Sequence, residues 1–163
     1  MSHIIVADTG PLIALSILDL IPKMATLFDR VYIPNAVLTE ATHDKTKAGV
    51  NNIVSAIEQS LLTPCYAKRT QIFSHLSQLL DLGEAEALSI AQQYNAIVLI
   101  DERKGRRVAQ HRNIRITGTI AILIKLKKEK QIASIRPLLE QLNAHGYRIS
   151  DSLVKQALDI CGE

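Results

Sequence analysis

Short apolar runs that end at polar residues constrain the fold of this chain more than any other feature. The run IIVA (4–7) ends at Asp8, and the run IVLI (97–100) ends at Asp101. Unbroken apolar runs of this length are typical of strands that are buried on both faces. Because helical patterns separate the runs, the sequence predicts an α/β fold in which helices cover both faces of a parallel sheet.

The predicted elements run through the whole chain without an obvious boundary. Strands are expected at 4–7, 31–33, 61–66, 97–100 and 114–116, and Pro64 restricts the third to an edge of the sheet. Helices are expected at 11–18, 35–42, 48–60, 71–80, 83–94, 119–130, 135–145 and 152–161. No repeat, linker or biased segment interrupts this order. We therefore expect one domain over 1–163, with the C-terminal helices (about 135–161) packed on it.

Composition excludes several classes of protein. Hydrophobic residues make up 47% of the chain, which excludes wholesale disorder. Aromatic residues make up only 4%, which leaves few rings for a platform that stacks nucleic-acid bases. The two cysteines, Cys65 and Cys161, fit no zinc or redox motif, so a reducing, cytoplasmic location is expected. We expect no signal peptide, because the first residues lack a basic region and Asp8 interrupts the first apolar run. We expect no membrane span, because no apolar stretch approaches the roughly 20 residues needed.

Charge is divided unevenly along the chain. Residues 1–100 contain 6 Lys and Arg against 9 Asp and Glu, whereas residues 101–163 contain 13 against 7. An acidic part beside a basic part is compatible with metal or proton chemistry next to an anionic partner. Ordinary surface charge is the alternative explanation.

Polar residues gather where the predicted strands end. In open parallel sheets, ligands bind beyond the carboxyl ends of the strands. Six residues follow a strand directly or lie in the first two turns of an adjoining helix: Asp8, Glu40, Glu84, Glu86, Asp101 and Thr117. We therefore expect these side chains to lie along one edge of the sheet.

A cluster of carboxylates at this edge indicates a bound cation. Carboxylates brought together repel one another unless a cation neutralises them. Oxygen ligands favour Mg²⁺ or Mn²⁺, and the five histidines lack the spacing of a zinc site. Divalent ions held by acids are suited to hydrolysis of a phosphodiester.

Each acid also has a purely structural interpretation. Asp8 precedes a helix and could be its cap, and Glu40 could lie on a solvated helix face. Glu84 and Glu86 could complement a helix dipole, and Asp101 could belong to a turn with local ion pairs. Their shared placement, rather than any single residue, favours a site.

A basic segment follows Asp101 directly. Such residues could hold a nucleic-acid backbone through phosphate contacts, or bind an acidic segment of a partner protein. The segment contains Arg103, Lys104, Arg106, Arg107, Arg112 and Arg115. For the later lysine run, 125–130, we favour a solvated helix face. The chain contains no dinucleotide fingerprint, P-loop or nucleophile-elbow motif.

Five stretches of the sequence resemble the PIN-domain family. They lie in order along almost the whole chain and are VADTGPLIAL, IPNAVLTEA, LGEAEALSIA, VLIDERKGRRVA and ITGTIAILIKLKKEKQI. The resemblance is strongest to predicted nucleic-acid-binding PIN proteins related to VapC-type toxins. It implies a three-layer α/β/α fold with a parallel sheet in the order 3-2-1-4-5.

The resemblance also implies a site and an activity. It assigns the catalytic acids to Asp8, Glu40, Glu84 and Asp101, with Asp8, Asp101 and Glu84 as ligands of Mg²⁺ or Mn²⁺. Glu86 competes with Glu84 for the third acid, and Thr9 and Thr117 are candidates for the supporting polar residue. The implied activity is that of an endoribonuclease toxin, blocked by a small antitoxin protein.

From these observations we predict a metal-dependent endoribonuclease that holds its RNA substrate through Arg103, Lys104 and Arg107. A homodimer is expected through the aliphatic helices within 11–18 and 48–80. The segment Asp101-Glu102-Arg103 replaces the Thr-x-Asp arrangement usual in the family. This difference keeps open a PIN fold that binds RNA or protein without cutting. A phosphoacceptor or phosphatase domain is the weaker alternative.

Overall fold

The computed structural model describes residues 3–163. The elements of this part of the chain are, in order, β1 (Ile4–Ala7), α1 (Thr9–Ile17), α2 (Ile21–Ala25), β2 (Arg30–Pro34), α3 (Asn35–Thr42), α4 (Val50–Glu58), β3 (Thr63–Cys65), α5 (Gln71–Leu79), α6 (Leu82–Tyr94), β4 (Ile97–Leu99), α7 (Arg103–His111), β5 (Ile116–Thr117), α8 (Thr119–Lys128), α9 (Arg136–Ala144) and α10 (Asp151–Cys161).

The strands form one parallel sheet in the order β3-β2-β1-β4-β5. Strand β1 is central, and its Val6 lies opposite Tyr32 of β2 and Val98 of β4. The short β3 pairs only with β2, so Pro64, which has no N–H to donate, stands at an edge. The parallel sheet, its order and the edge position of the third strand are confirmed.

Helices cover both faces of the sheet, as the unbroken apolar strands predicted. Alternate residues of β1 face opposite sides: Ile5 and Ala7 belong to one core, and Val6 belongs to the other. The first core includes residues of α1, α3, α4, α8, α9 and α10. The second includes residues of α5, α6 and α7. The three-layer α/β/α architecture is therefore confirmed.

Two helices were not predicted from the sequence. Helix α2 is only five residues long and begins after Leu20. Helix α7 carries the basic segment, and the Glu102 side chain caps it by accepting from Gly105 N at 2.8 Å. Gly105 lies so near the sheet that a Cβ there would stand 2.4 Å from Ile100 Cδ1. Glycine has a low helix propensity, but at this position the absence of a Cβ allows the helix to approach the sheet.

The fifth strand, beside the cleft, has different bounds from those expected, whereas α8 begins at Thr119 as predicted. The fifth strand is Ile116–Thr117 rather than 114–116, so Thr117 belongs to the strand and Thr119 begins α8.

The expected dimer contact relied partly on apolar residues of α1, but several of these residues pack inside the chain itself. Leu12, Leu15 and Leu18 are buried in the first core.

The last two helices are fastened to α8. The Glu163 carboxylate accepts from the Ser134 hydroxyl and, at 2.9 Å, from Ile135 N just before α9. Lys127 of α8 lies 3.1 Å from the same carboxylate. These donors hold the pKa of Glu163 down at about 2.

Within residues 3–163, no helix has the length and apolar character needed to cross a membrane.

Candidate active site

A cleft of about 1100 Å³ opens beyond the carboxyl ends of the central strands. Six carboxylate side chains line it: Asp8, Glu40, Asp81, Glu84, Asp101 and Glu102. Strand topology explains the gathering, because residues that follow parallel strands emerge at the same edge. Four of the six were expected from the sequence, whereas Asp81 and Glu102 were not.

Asp8 and Asp101 emerge from the neighbouring strands β1 and β4. Asp8 N continues the ladder between these strands by donating to Leu99 O at 3.0 Å. The Asp8 side chain is only 8% exposed. Burial, reinforced by repulsion from Asp81, Glu40 and Asp101, raises the pKa of Asp8 to about 6.

Glu84 is held in the first turn of α6 by a capping box. Asp81 Oδ1 accepts from Glu84 N at 2.9 Å, and Glu84 Oε2 accepts from Asp81 N at 3.3 Å. Burial, with repulsion from Asp81 and Asp8, raises the pKa of Glu84 to about 7. The sequence signal for Asp81 was its position three residues before Glu84, which is the spacing of a capping box.

Glu86 points away from the cleft although it lies only two residues beyond Glu84. Its carboxylate accepts from Ala36 N at 2.9 Å and pairs with Arg69 Nη2 at 3.1 Å. Residues two apart on a helix point about 200° away from each other, so Glu84 and Glu86 cannot share a site. The structure places Glu84 in the cleft and gives Glu86 a role in joining α6 to α3.

Glu40 is joined to α1 through Thr9. Thr9 Oγ1 donates to Glu40 Oε2 at 2.9 Å. Thr9 is 9% exposed and directly follows Asp8, so the backbone at the start of α1 positions both side chains. Thr9 therefore contacts a cleft carboxylate, as the sequence interpretation of this residue anticipated.

Asp101 is held by α8 and by a residue near the C-terminus. Thr119 N donates to Asp101 Oδ1 at 2.9 Å, and Thr119 Oγ1 donates to Oδ2 at 2.5 Å. The Tyr147 hydroxyl also donates to Oδ2. Gly118 makes this approach possible, because a Cβ there would lie 2.7 Å from Asp101 Oδ1.

Thr119 therefore contacts Asp101, whereas Thr117, the residue expected there, pairs with Leu99 inside β5. The difference follows from the strand boundary described above. Tyr147 was missed altogether, since it lies in a short connection between helices and belongs to no motif. Burial and the neighbouring Asp101 raise the pKa of the Tyr147 phenol well above its ordinary value.

The basic residues divide into two groups. Arg106 and Arg148 line the cleft, and Arg106 Nη1 donates to Ile100 O at 2.7 Å. Arg103, Lys104 and Arg107, the residues expected to bind RNA, are exposed on α7. They stand beside the cleft rather than within its lining.

The side chains of the cleft suit a hard divalent cation chemically. Its acidic part offers carboxylate and hydroxyl oxygens, which Mg²⁺ and Mn²⁺ prefer. Burial first, and repulsion between neighbouring acids second, raises the pKa values of Asp8 and Glu84, and a bound cation would offset both effects. Within residues 3–163, however, no three His, Cys, Asp or Glu side chains already form a metal-binding group. The fit therefore rests on the donor chemistry of these side chains.

Comparison with known families agrees with the fold and the cleft. A family model described as a PIN domain matches residues 4–163, so the chain belongs to the PIN-domain family. PIN domains are generally nucleases that use divalent metal ions on nucleic-acid substrates. No functionally curated protein matches the chain at a significant level.

Proposed function

We propose that this protein is a metal-dependent endoribonuclease that hydrolyses phosphodiester bonds of RNA. The observation that carries the proposal is the convergence of Asp8, Glu40, Glu84 and Asp101 on one cleft beside basic residues. The raised pKa values of Asp8 and Glu84 support it, because crowded acids at a single site are characteristic of functional clusters.

In this proposal Asp8, Asp101 and Glu84 are the residues that hold Mg²⁺ or Mn²⁺. When bound, the ion would supply charge neutralisation and Lewis acidity for attack on the phosphodiester. Glu40 and Glu84 orient the attacking water. Thr9 holds Glu40 through its 2.9 Å hydrogen bond, so that the carboxylate is placed before substrate arrives.

Substrate binding is assigned to the exposed cations of α7. Arg103 and Lys104 lie in the first turn of this helix, just after Asp101, and Arg107 lies one turn further along. Arg106 and Arg148 belong to the cleft itself and are placed to contact a phosphate nearer the reacting bond.

A toxin role with a small antitoxin is the finer proposal. Besides its acids, the cleft has an apolar side made of Ile13, Ile120, Ile124, Ile149 and Leu153. A protein segment carrying apolar side chains and a cation would complement both surfaces and block the site. Co-purification of the protein with a co-expressed small neighbouring gene product, followed by loss of cleavage, tests this role.

A homodimer is also proposed, now through α5 and the start of α6. Ile72, Leu79 and Leu82 are between 41% and 52% exposed there, which leaves apolar area for a second copy. Light scattering at micromolar concentration should give twice the chain mass, and a monomer mass would contradict the proposal.

The function itself is tested by cleavage of a labelled single-stranded RNA in Mg²⁺. We expect the wild-type protein to cut it, EDTA to stop cleavage, and Asp8→Asn to lower the rate at least a hundredfold, since metal sites contribute several kcal/mol to such reactions. Asp159→Asn, an exposed residue of α10, is the matched control and should cut normally. Cleavage by Asp8→Asn in EDTA would contradict the proposal.

A non-catalytic RNA-binding protein is the second candidate. One observation favours it: within residues 3–163, no three His, Cys, Asp or Glu side chains already form a metal-binding group. Under this alternative, RNA binding persists in EDTA and no RNA is cut in Mg²⁺ or Mn²⁺. The cleavage assay above separates the two candidates.

A further inference from the structure

Tyr147 brings the C-terminal helices into contact with the acidic cleft. It lies between α9 and α10, 46 residues beyond Asp101 in the chain, and its hydroxyl donates to Asp101 Oδ2. The side chain is half-buried and sits over the start of α1, where a Cβ on Gly10 would lie 3.6 Å from Tyr147 Oη. The hydroxyl therefore lies among three parts of the cleft wall: the start of α1 at Gly10, the start of α8 at Thr119, and Asp101.

Asp101 receives its hydrogen bonds from two separate elements. Thr119 supplies two donors from the beginning of α8, one to each carboxylate oxygen. Tyr147 supplies a third, to Oδ2. A carboxylate has about four acceptor positions, so these three donors fix the rotation of the group and leave little of it free. An ion that binds a carboxylate fixed in this way does not have to order it first.

The fold holds Tyr147 in place from both sides. Leu139 and Leu142 of α9 and Ala157 of α10 are buried in the first core. Glu163 fastens the end of α10 to the start of α9 and to Lys127. Tyr147 lies in the connection between these two helices, where its side chain packs on the first core and its N donates to Leu142 O at 3.0 Å.

We propose that Tyr147 is a positioning residue that orients Asp101 for the divalent cation, so that the C-terminal helices form part of the metal site. The inference rests on the proposed function, because it needs the cleft to bind an ion. It assigns no chemical step to the tyrosine. Its effect is on ion affinity, and the reaction is affected only through that.

The test is Mn²⁺ affinity, measured by electron paramagnetic resonance of the free ion without RNA. Tyr147→Phe removes only the hydroxyl, and we expect it to weaken Mn²⁺ binding by about tenfold, as loss of outer partners of metal ligands does. Tyr66→Phe is the matched control, since Tyr66 is 74% exposed and should bind as the wild type does. Equal or tighter binding by Tyr147→Phe would overturn the inference, and tighter binding would show that the hydroxyl competes with the ion.

A second set of variants distinguishes a specific effect on Asp101 from a general loss of structure. Thr119→Val should also weaken Mn²⁺ binding, and the double variant should lose less than the two single losses combined, because both hydroxyls act on one oxygen. Thr117→Val is the control within the adjoining strand. Additive losses would contradict a shared action on Asp101. A wild-type protein that binds no Mn²⁺ would instead contradict the proposed function, whereas normal wild-type binding with an unaffected Tyr147→Phe contradicts only this inference.

Discussion

Asp8 directly follows β1 and Asp101 lies two residues beyond the neighbouring parallel strand β4, and both carboxylates line the same cleft. Their proximity follows from the order of the sheet, which places β1 beside β4 although about 90 residues separate the two in the chain. Burial raises the pKa of Asp8, and repulsion from Asp81, Glu40 and Asp101 adds to the effect. The fold thus maintains a crowded charge that an ion would relieve.

The first prediction concerns the pH dependence of stability in the metal-free protein. The pKa of Asp8 rises from 3.8 to about 6 on folding, so the folded state binds this proton more tightly than the unfolded state. The contribution of Asp8 to the free energy of unfolding is therefore greatest below pH 4 and is lost as the pH rises through 6. Between pH 5 and 8, Asp8 should lower the free energy of unfolding by roughly 1–2 kcal/mol.

Urea unfolding of the wild type and of Asp8→Asn at both pH values, in EDTA, measures this contribution. The variant should gain on the wild type as the pH is raised, because the amide has no proton to lose. If the stability difference between the wild type and Asp8→Asn is the same at pH 5 and pH 8, folding does not raise the pKa of Asp8.

The second prediction separates two glutamates that the sequence alone left in competition. Glu84→Gln should abolish cleavage without loss of stability, because it removes a buried, repelled charge. Glu86→Gln should lower the free energy of unfolding by about 1–3 kcal/mol, since an amide cannot accept from both Ala36 N and Arg69.

Urea unfolding and RNA cleavage are measured on the same two preparations. The expected result is a folded, inactive Glu84→Gln protein and a less stable Glu86→Gln protein that cuts RNA at temperatures where it is folded. The reverse pattern would assign the third acid to Glu86.

The third prediction concerns the cations of α7. Replacing Arg103, Lys104 and Arg107 together by Ala should weaken RNA binding and lower the slope of log K against log salt by about 2, at about 0.7 for each phosphate contact. The control replaces Lys125, Lys128 and Lys130, which are exposed on and just after α8. Fluorescence anisotropy over a salt series gives both slopes. Equal losses in the two triple variants would mean that neither segment is a specific RNA surface.

Much of the site was predictable because it depends on local patterns that the sheet then brings together. Asp8 and Asp101 each follow an apolar run, and the rule that ligands bind at the carboxyl ends of parallel strands made their meeting an expectation. Glu84 was expected at the same edge from its place in the first turn of a helix, and Glu40 from its place about two turns into the helix that follows β2. Their presence in the cleft required only that the strands be parallel.

The remaining contacts depend on details that periodicity does not resolve. Whether Thr117 or Thr119 meets Asp101 is decided by a strand boundary that shifts by one residue. Glu84 and Glu86 are distinguished by the rotation of α6, which is set by packing on α3. Tyr147 reaches the cleft only through the path of the last two helices, which is a long-range property of the fold.

The account is tested most directly by anomalous scattering from crystals of this protein soaked in Mn²⁺. It predicts one or two peaks within the cleft, in contact with the carboxylates of Asp8 and Asp101 and near Glu84. No peak in the cleft at millimolar Mn²⁺, or a peak only at surface carboxylates elsewhere, would contradict the claim that these acids form a metal site.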